Sequence, residues 1–364
     1  MMKRTAFTMS LLALLAWNCS TEIDVNAPYK EIPIVYATLS ITKPDGLTPE
    51  TTHYVKINRA FQGEGNALVY AAIPDSNEYS GEQLDTARVE EWDGNNLVQV
   101  FMLRDTTVED RLPGTFHYPD QKVYYFNATL NQDHQYRFGA VAKGVAISAR
   151  TEIVNDFALS SNLSAPTSFR PNFVSSFGYQ NYELKWYKDS DGRRYEAYYT
   201  FYYIEVRGGV SDTMSFTRFL GSVVAEGNNG AELSVVMVGE DFYRTIGELV
   251  PEADAGLDRR EFLGITFHWA VANDDFHTFL LLGAPVTGIV EDRPDFTNVT
   301  NGYGIFVSRY FERAPGNIST IVPSEEYRLL KDESLDELAF GQFTGGRGFC
   351  SPYSVSDGTP YACP

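Results

Sequence analysis

Hydrophobic and polar residues alternate along much of the chain with a period of two, which is typical of strands with one buried face. In segment 53–61, for example, Val55 and Ile57 alternate with Lys56. The Asp-Gly dipeptide at 93–94 lies between two such segments and is a hairpin signal. Between residues 31 and 154 the pattern predicts strands at 32–41, 53–61, 87–92, 97–103, 122–130, 135–142 and 145–154. This set of strands predicts an immunoglobulin-like β-sandwich.

A change in composition at 155–172, where Ser, Asn and Pro are frequent, predicts a linker. The segment 173–345 then predicts a second β-rich domain, with strands at 182–187, 194–206, 213–225, 231–238, 262–272 and 304–311. Two helical patterns interrupt these strands. In 240–250, Phe242, Ile246 and Val250 recur every four residues, and 324–338 begins with Ser324 as an N-cap. The predicted fold class is therefore mainly β, with two domains and two short helices.

Residues 1–18 have the pattern of a secretory signal peptide. Lys3 and Arg4 precede an apolar run that ends at Trp17, and this run is shorter than the roughly 20 residues of a membrane-spanning helix. Cys19 follows in a segment, 15–19, that resembles a lipobox. We therefore predict lipidation at Cys19 and a polar tether over 19–30, with a plain signal peptide and an incidental cysteine as the alternative.

The number of cysteines agrees with a lipid anchor. The chain has three, so lipidation of Cys19 leaves Cys350 and Cys363 as a pair within the C-terminal segment 346–364. In an oxidising envelope the pair is expected to form a disulfide, which would close a loop of about 14 residues and contribute about 3 kcal/mol. Free thiols remain an alternative, and a metal site is disfavoured because the loop contains no histidine.

The charge of the chain limits its partners. Lys and Arg number 29 against 48 Asp and Glu, for a net charge of −19 at pH 7. An excess of negative charge repels phosphate backbones and anionic lipid headgroups, so we predict that the protein does not bind nucleic acid.

Tyrosines in the predicted strand 194–206 form a candidate binding surface. Tyr195, Tyr199 and Tyr203 lie on one face of this strand. If that face were exposed, the rings could stack on sugars, whereas a packed sandwich would bury them. The burial of these three side chains therefore decides between a glycan-binding platform and a structural core.

Catalytic and metal-binding patterns are weak in this sequence. The five histidines show no four-residue spacing of the kind that binds zinc on a helix, and we predict no metal and no cofactor. Asp274 and Asp275 form the most suggestive acidic cluster, since two carboxylates could act on a glycosidic bond. The alternative, a solvated turn or helix cap after the preceding strand, is favoured, and we predict a protein that is not an enzyme.

Several segments resemble a family of Bacteroidota surface lipoproteins with a domain of unknown function, often encoded beside TonB-dependent receptors. The resemblance depends on the segments 34–36, 53–57, 60–67, 292–294, 298–306 and 308–309. The C-terminal segment with its two cysteines is also similar. It covers most of the chain after the leader, and it implies an immunoglobulin-like N-terminal domain and a surface role. Glu22 and Asp24, close behind Cys19, resemble the export signal of such lipoproteins.

Together these features predict a lipoprotein of the outer membrane, anchored by its N-terminal lipid and exposed at the cell surface. Its expected role is non-catalytic binding, as an accessory of an outer-membrane TonB-dependent receptor. A surface glycan-binding module is the second hypothesis, and a glycoside hydrolase the third.

Overall fold

The computed structural model describes residues 30–61, 66–165, 170–284, 295–318, 326–351 and 363. Within these ranges the chain is mainly β, as the alternating pattern predicts. Of the predicted linker 155–172, the structure describes residues 155–165 and 170–172.

Strands dominate the described part of the first 154 residues, as predicted, and one strand more than predicted is present there. The hairpin signal is confirmed, because one strand ends at Asp93, the next begins at Asn96, and Gly94 adopts the positive φ of +56° that this tight turn requires. The elements are β1 Pro33–Leu39, β2 Thr52–Arg59, α1 Ala67–Ala71, α2 Pro74–Asn77, β3 Leu84–Asp93, β4 Asn96–Met102, β5 Arg104–Val108, β6 Gln121–Asn127, β7 Gln135–Ala142 and β8 Val145–Glu152.

Beyond residue 154, the described ranges combine long strands with four helices. Their elements are α3 Ser161–Ser164, β9 Val174–Ser175, β10 Gly178–Tyr179, β11 Tyr182–Tyr187, β12 Arg194–Arg207, β13 Val210–Val224, β14 Glu232–Met237, α4 Gly239–Leu249, β15 Arg259–Ala272, α5 Asp274–Gly283, β16 Tyr303–Arg313, β17 Asn317–Ile318, β18 Glu326–Tyr327, α6 Asp332–Phe340 and β19 Phe349–Cys350.

Of the two predicted helices, one is confirmed and the other begins later than expected. Helix α4 coincides with the predicted 240–250 and buries Phe242 and Ile246. In the predicted 324–338, residues Glu326–Tyr327 form the short strand β18, which pairs with β17, and the helix starts only at Asp332. Pairing with a neighbouring strand outweighs local helix propensity at this position. The predicted cap Ser324 lies outside the described residues.

Two sheets enclose the first hydrophobic core, which agrees with a β-sandwich. One has the strand order β4-β3-β7-β8, and the other contains β1, β2, β6 and β5. Every second residue of β1 and β2 points into the space between the sheets, including Val35, Val55 and Ile57, which are at most 1% exposed. The opposite faces of β1 and β2 point away from this core.

The second of these sheets does not end at the sandwich. It runs through the whole molecule in the order β13-β12-β15-β16-β1-β2-β6-β5, with β19 beside β15. The connection is the parallel pairing of β1 with β16, in which Val35 lies opposite Gly304. Phe306 of β16 packs in the first core, and Tyr310 of the same strand packs in the second. A late strand therefore completes the early sheet, and this pairing crosses the predicted division between 31–154 and 173–345.

The second core lies on one face of β12 and β15. Strands β11 and β14 and helices α4 and α6 contribute to this core, which is rich in aromatic side chains. Trp186 and Trp269 meet there at a ring-centroid distance of 5.7 Å, and both are nearly inaccessible to solvent. This aromatic layer determines the position of the tyrosines that the sequence offers as a binding platform.

Candidate functional site

The predicted tyrosine platform is part of the second core, and its interpretation as a binding surface is wrong. Tyr195, Tyr199 and Tyr203 are 0%, 3% and 4% exposed. The Tyr195 hydroxyl accepts a hydrogen bond from the backbone N–H of Asp189 at 3.0 Å, and burial raises the pKa of this tyrosine to about 12. The tyrosines share a face, as predicted, but that face is covered by packed elements, so no sugar can reach the rings.

Asp274 and Asp275 lie in the first turn of α5, where the favoured alternative placed them. The cap itself is Asn273, whose side chain accepts a hydrogen bond from the backbone N–H of Phe276 at 3.0 Å. Asp274 contacts Arg193 at 3.3 Å, and Asp275 accepts a hydrogen bond from Asn298 at 2.8 Å. Each carboxylate thus has its own partner, and carboxylates in the first turn of a helix interact favourably with its dipole.

A small polar pocket of about 410 Å³ brings these two aspartates close to the turn at 189–192. Within it, burial and then the negative charges of Asp189 and Glu152 raise the pKa of Asp191, while a hydrogen bond from Ser190 opposes this shift. Across the described ranges, no group of three or more His, Cys, Asp or Glu side chains is arranged to hold a metal ion. The pocket has no feature that points to a particular ligand.

The C-terminal cysteines are joined. Cys350 and Cys363 form a disulfide with a Cα–Cα distance of 5.1 Å. Cys350 belongs to β19, which pairs with β15, so the bond ties the chain end to the large sheet. The predicted lipidation site, Cys19, lies outside the described residues.

A concave surface with a mixed apolar and polar lining forms a groove on the outer face of the large sheet. Its volume is about 670 Å³, and its floor consists of the outward-facing residues of β1 and β2. We call it the outer groove. It is lined by Ile34, Tyr36, Ala37, Thr38, Ser40, Thr42, Pro44, Glu50, Thr52, His53, Tyr54, Lys56, Asn58, Arg59, Asn77, Arg111, Phe116, Gln121, Val123, Ile305 and Arg309.

Regular strand pairing explains how the floor is built. Tyr36 of β1 lies opposite Lys56 of β2 on one side and Ile305 of β16 on the other. Because side chains alternate along a strand, the residues two positions away from these also point outward. Helix α5 lies beside the floor, with the Phe279 ring 6.4 Å from the Tyr36 ring, and the segment that carries Phe116 also lines the groove.

Basic side chains line the outer groove although the chain as a whole is acidic. Lys56, Arg59, Arg111 and Arg309 contribute to it, against a single carboxylate, Glu50, among the described lining residues. Two of them, Lys56 and Arg111, are close enough for one charge to influence the other. Burial lowers the pKa of Lys56, Glu78 opposes this shift, and the positive charge of Arg111 lowers the pKa further.

Several polar atoms in the groove lack a hydrogen-bond partner within the described part of the chain. They are Asn58 Oδ1, Arg59 Nε and Arg309 Nε, and all three are buried. Burial also lowers the pKa of the Arg309 guanidinium, and the Glu50 carboxylate opposes this effect. A buried polar atom without a partner is costly, so the groove contains uncompensated polar groups.

The outer groove was not predicted from the sequence, although a signal was present. The signal is in β2, where the alternation that buries Val55 and Ile57 leaves Tyr54 and Lys56 on the opposite face. Tyr36, Tyr54, Lys56 and Arg309 lie on three different strands, β1, β2 and β16. Their convergence depends on the pairing of β1 with β16, which no local pattern indicates.

Comparisons with known proteins give little information about this chain. No protein-family model matches it, and no curated protein matches it. One similar solved structure is the C-terminal globular domain of an oligosaccharyltransferase from Pyrococcus abyssi, with 12% identity and a TM-score of 0.17. The match covers 59% of this chain and 42% of that structure. The likeness is too distant to carry an argument.

The described residues include no helix that is both long and apolar enough to cross a membrane.

Proposed function

We propose that this chain is a non-catalytic binding protein, anchored by lipid to the bacterial outer membrane and exposed at the cell surface. The anchor is argued from the leader, in which a basic start and a short apolar run precede Cys19. Three acyl chains on that cysteine would hold the protein firmly, since each buried methylene contributes about 0.8 kcal/mol.

The observation that carries the binding role is the outer groove. It combines an open volume of about 670 Å³ with apolar and aromatic walls and a small number of charged groups, which is the composition of ligand sites. Asp274 and Asp275, the sequence's candidates for acid–base chemistry, are engaged with separate partners. The geometry therefore favours binding over hydrolysis.

The family resemblance suggests that the partner is an outer-membrane TonB-dependent receptor. In that arrangement the lipid would hold the protein close to the membrane, and the outer groove would present a ligand to the receptor. The test is to crosslink intact cells of the native host, purify the tagged protein and identify the co-purified proteins by mass spectrometry.

Cys19→Ala is the informative variant, and Ser20→Ala is its matched control because it leaves the lipid acceptor in place. We expect the wild-type protein and Ser20→Ala to fractionate with the outer membrane, to be accessible to protease on intact cells, and to enrich a receptor. Cys19→Ala should lose all three properties. A wild-type protein that is found in the cytoplasm would refute the anchor, and so would a Cys19→Ala variant that stays in the membrane.

A further inference from the structure

Three arginines in the outer groove form no ion pair at contact distance with a carboxylate of the described residues, although the Glu50 carboxylate is close enough to act on Arg309. Arg309 stacks on Phe311 at 4.6 Å, and Arg111 lies over Phe116 at 5.1 Å. Arg59 donates to the backbone carbonyl of Asp75. In a chain with 48 acidic side chains, guanidinium groups that form no close ion pair in one groove are available for an anionic ligand.

Arg59 and Arg309 lie toward opposite ends of the groove. Arg59 lies opposite Pro33 at the start of β1, and Ser308, just before Arg309, lies opposite Leu39 at its end. At 3.3 Å per residue, these positions are about 20 Å apart along the strand. A ligand that contacts both ends must be extended and must carry more than one negative charge.

Aromatic rings occupy the floor and one wall between these ends. Tyr36, Tyr54 and Phe116 are 46%, 50% and 43% exposed, in contrast to the buried tyrosines of β12. Tyr36 lies opposite Lys56, and Tyr54 is two residues from Lys56 on the same face, so the two tyrosines are diagonal neighbours. Diagonal neighbours on paired strands are about 7–8 Å apart, and such rings offer adjacent flat surfaces for a ligand.

The floor offers no backbone groups for strand addition. β1 pairs with β16 and β2, and β2 pairs with β1 and β6, so both strands are flanked on each side. Extended peptides commonly bind by pairing with an exposed strand edge. Recognition in this groove must instead come from side chains: flat rings, arginines, and short polar groups. The polar groups are Thr38, Ser40, Thr52, Asn58 and Gln121.

We propose that the outer groove binds an anionic oligosaccharide, with sugar faces against Tyr36 and Tyr54 and acidic groups at Arg309 and at Arg59. This inference rests on the proposed binding function and specifies its ligand class. Sugar rings have one apolar face for stacking and hydroxyls for the short polar side chains. Carboxylates or sulfates on the sugars would neutralise the positive charge of the arginines and accept charge-assisted hydrogen bonds from them.

The test measures the affinity of the full-length protein, purified in detergent, for three hexasaccharides of different charge by isothermal titration calorimetry. Hexagalacturonate carries carboxylates, a heparin-derived hexasaccharide carries sulfates as well, and maltohexaose is neutral. We expect at least one acidic hexasaccharide to bind and maltohexaose to bind at least about tenfold more weakly, because each charge-assisted contact contributes about one tenfold step in affinity. The acidic sugar that binds identifies whether carboxylate or sulfate is preferred.

Matched variants locate the binding. Arg309→Gln and Tyr36→Ala should each weaken binding of the acidic sugar by about tenfold. Arg244→Gln, on α4, and Tyr187→Ala, on β11, remove the same side-chain types outside the groove and should leave the affinity unchanged. Near-ultraviolet circular dichroism of each variant verifies that the fold is retained.

The inference is overturned if neither acidic hexasaccharide binds, or if maltohexaose binds equally well. It is also overturned if a hexaglutamate peptide, titrated in the same way, binds more tightly than the acidic sugars. Equal losses in the groove variants and in their controls would also overturn it. The crosslinking experiment tests the proposed function separately from the sugar titration. If the receptor is enriched but no sugar binds, the proposed function stands and only the anionic oligosaccharide is excluded as the ligand.

Discussion

The substitution Gly304→Ala tests the close parallel pairing of β1 with β16. Both the continuous sheet and the outer groove depend on this pairing. Gly304 has φ of +100° and lies opposite Val35 in the parallel pair. A Cβ atom at this position would overlap the Val35 carbonyl oxygen and lie 2.9 Å from its carbonyl carbon. These are backbone atoms within a sheet, so they cannot rotate away as a side chain could.

Two contributions determine how much Gly304→Ala lowers the free energy of unfolding. A non-glycine residue in this backbone conformation costs about 1–3 kcal/mol. Relief of the overlap requires the strands to move apart, and such shifts in a packed interior cost about 1–3 kcal/mol more. Gly178 separates the two contributions, because its φ is +106° and a Cβ atom added there would have no neighbour within 4 Å among the described residues. Gly178→Ala should therefore show only the first cost.

The assay is urea denaturation of the full-length protein, followed by tryptophan fluorescence and by far-ultraviolet circular dichroism. We expect Gly304→Ala to lower the free energy of unfolding by about 1–3 kcal/mol more than Gly178→Ala does. Equal losses in the free energy of unfolding of the two variants would show that the backbones of β1 and β16 are not in close contact. That result would refute the close pairing of these strands at Gly304.

Three further predictions concern a buried histidine, a buried ion pair and the disulfide. Burial lowers the pKa of His268 to about 4 from its usual 6.5, so the folded state favours the neutral ring and stability should fall by up to about 3 kcal/mol as pH falls from 6.5 to 4. His268→Gln should flatten this dependence in pH-resolved denaturation, and an unchanged slope would contradict the assignment. Glu205 accepts a hydrogen bond from the fully buried Arg260 at 2.8 Å, so Glu205→Gln should cost about 3 kcal/mol, whereas a loss below about 1 kcal/mol would indicate an ordinary surface pair. Reduction of the Cys350–Cys363 disulfide should cost about 3 kcal/mol, and a midpoint of unfolding that does not change with reductant would contradict this estimate.

Local features of the sequence predicted most of the strands. Alternation in β2 placed Val55 and Ile57 correctly in a core, and the Asp93–Asn96 turn is identified from its residues. These features depend on a few neighbouring residues, whose backbone preferences act over the same short distance. The predicted helix at 324–338 was wrong at its start because β18 pairs with β17, and that pairing involves another segment of the chain.

The interpretation of the tyrosines shows what a periodic pattern leaves open. The spacing of Tyr195, Tyr199 and Tyr203 correctly indicated a shared face. It did not indicate whether that face would be covered, because coverage depends on α4, α6 and the pair β11–β14. The same ambiguity applied in the opposite sense to Tyr36 and Tyr54, which remain exposed.

The sequence by itself determined the strand-rich character of the chain, the faces of its main strands and its acidity. Only the tertiary structure decided which faces are buried and which side chains meet. The parallel pairing of β1 with β16 brings Arg309 to the same groove as Arg59 and Tyr36. The reason is physical: alternation is fixed by local backbone geometry, whereas pairing between distant strands is selected by the packing of the whole molecule.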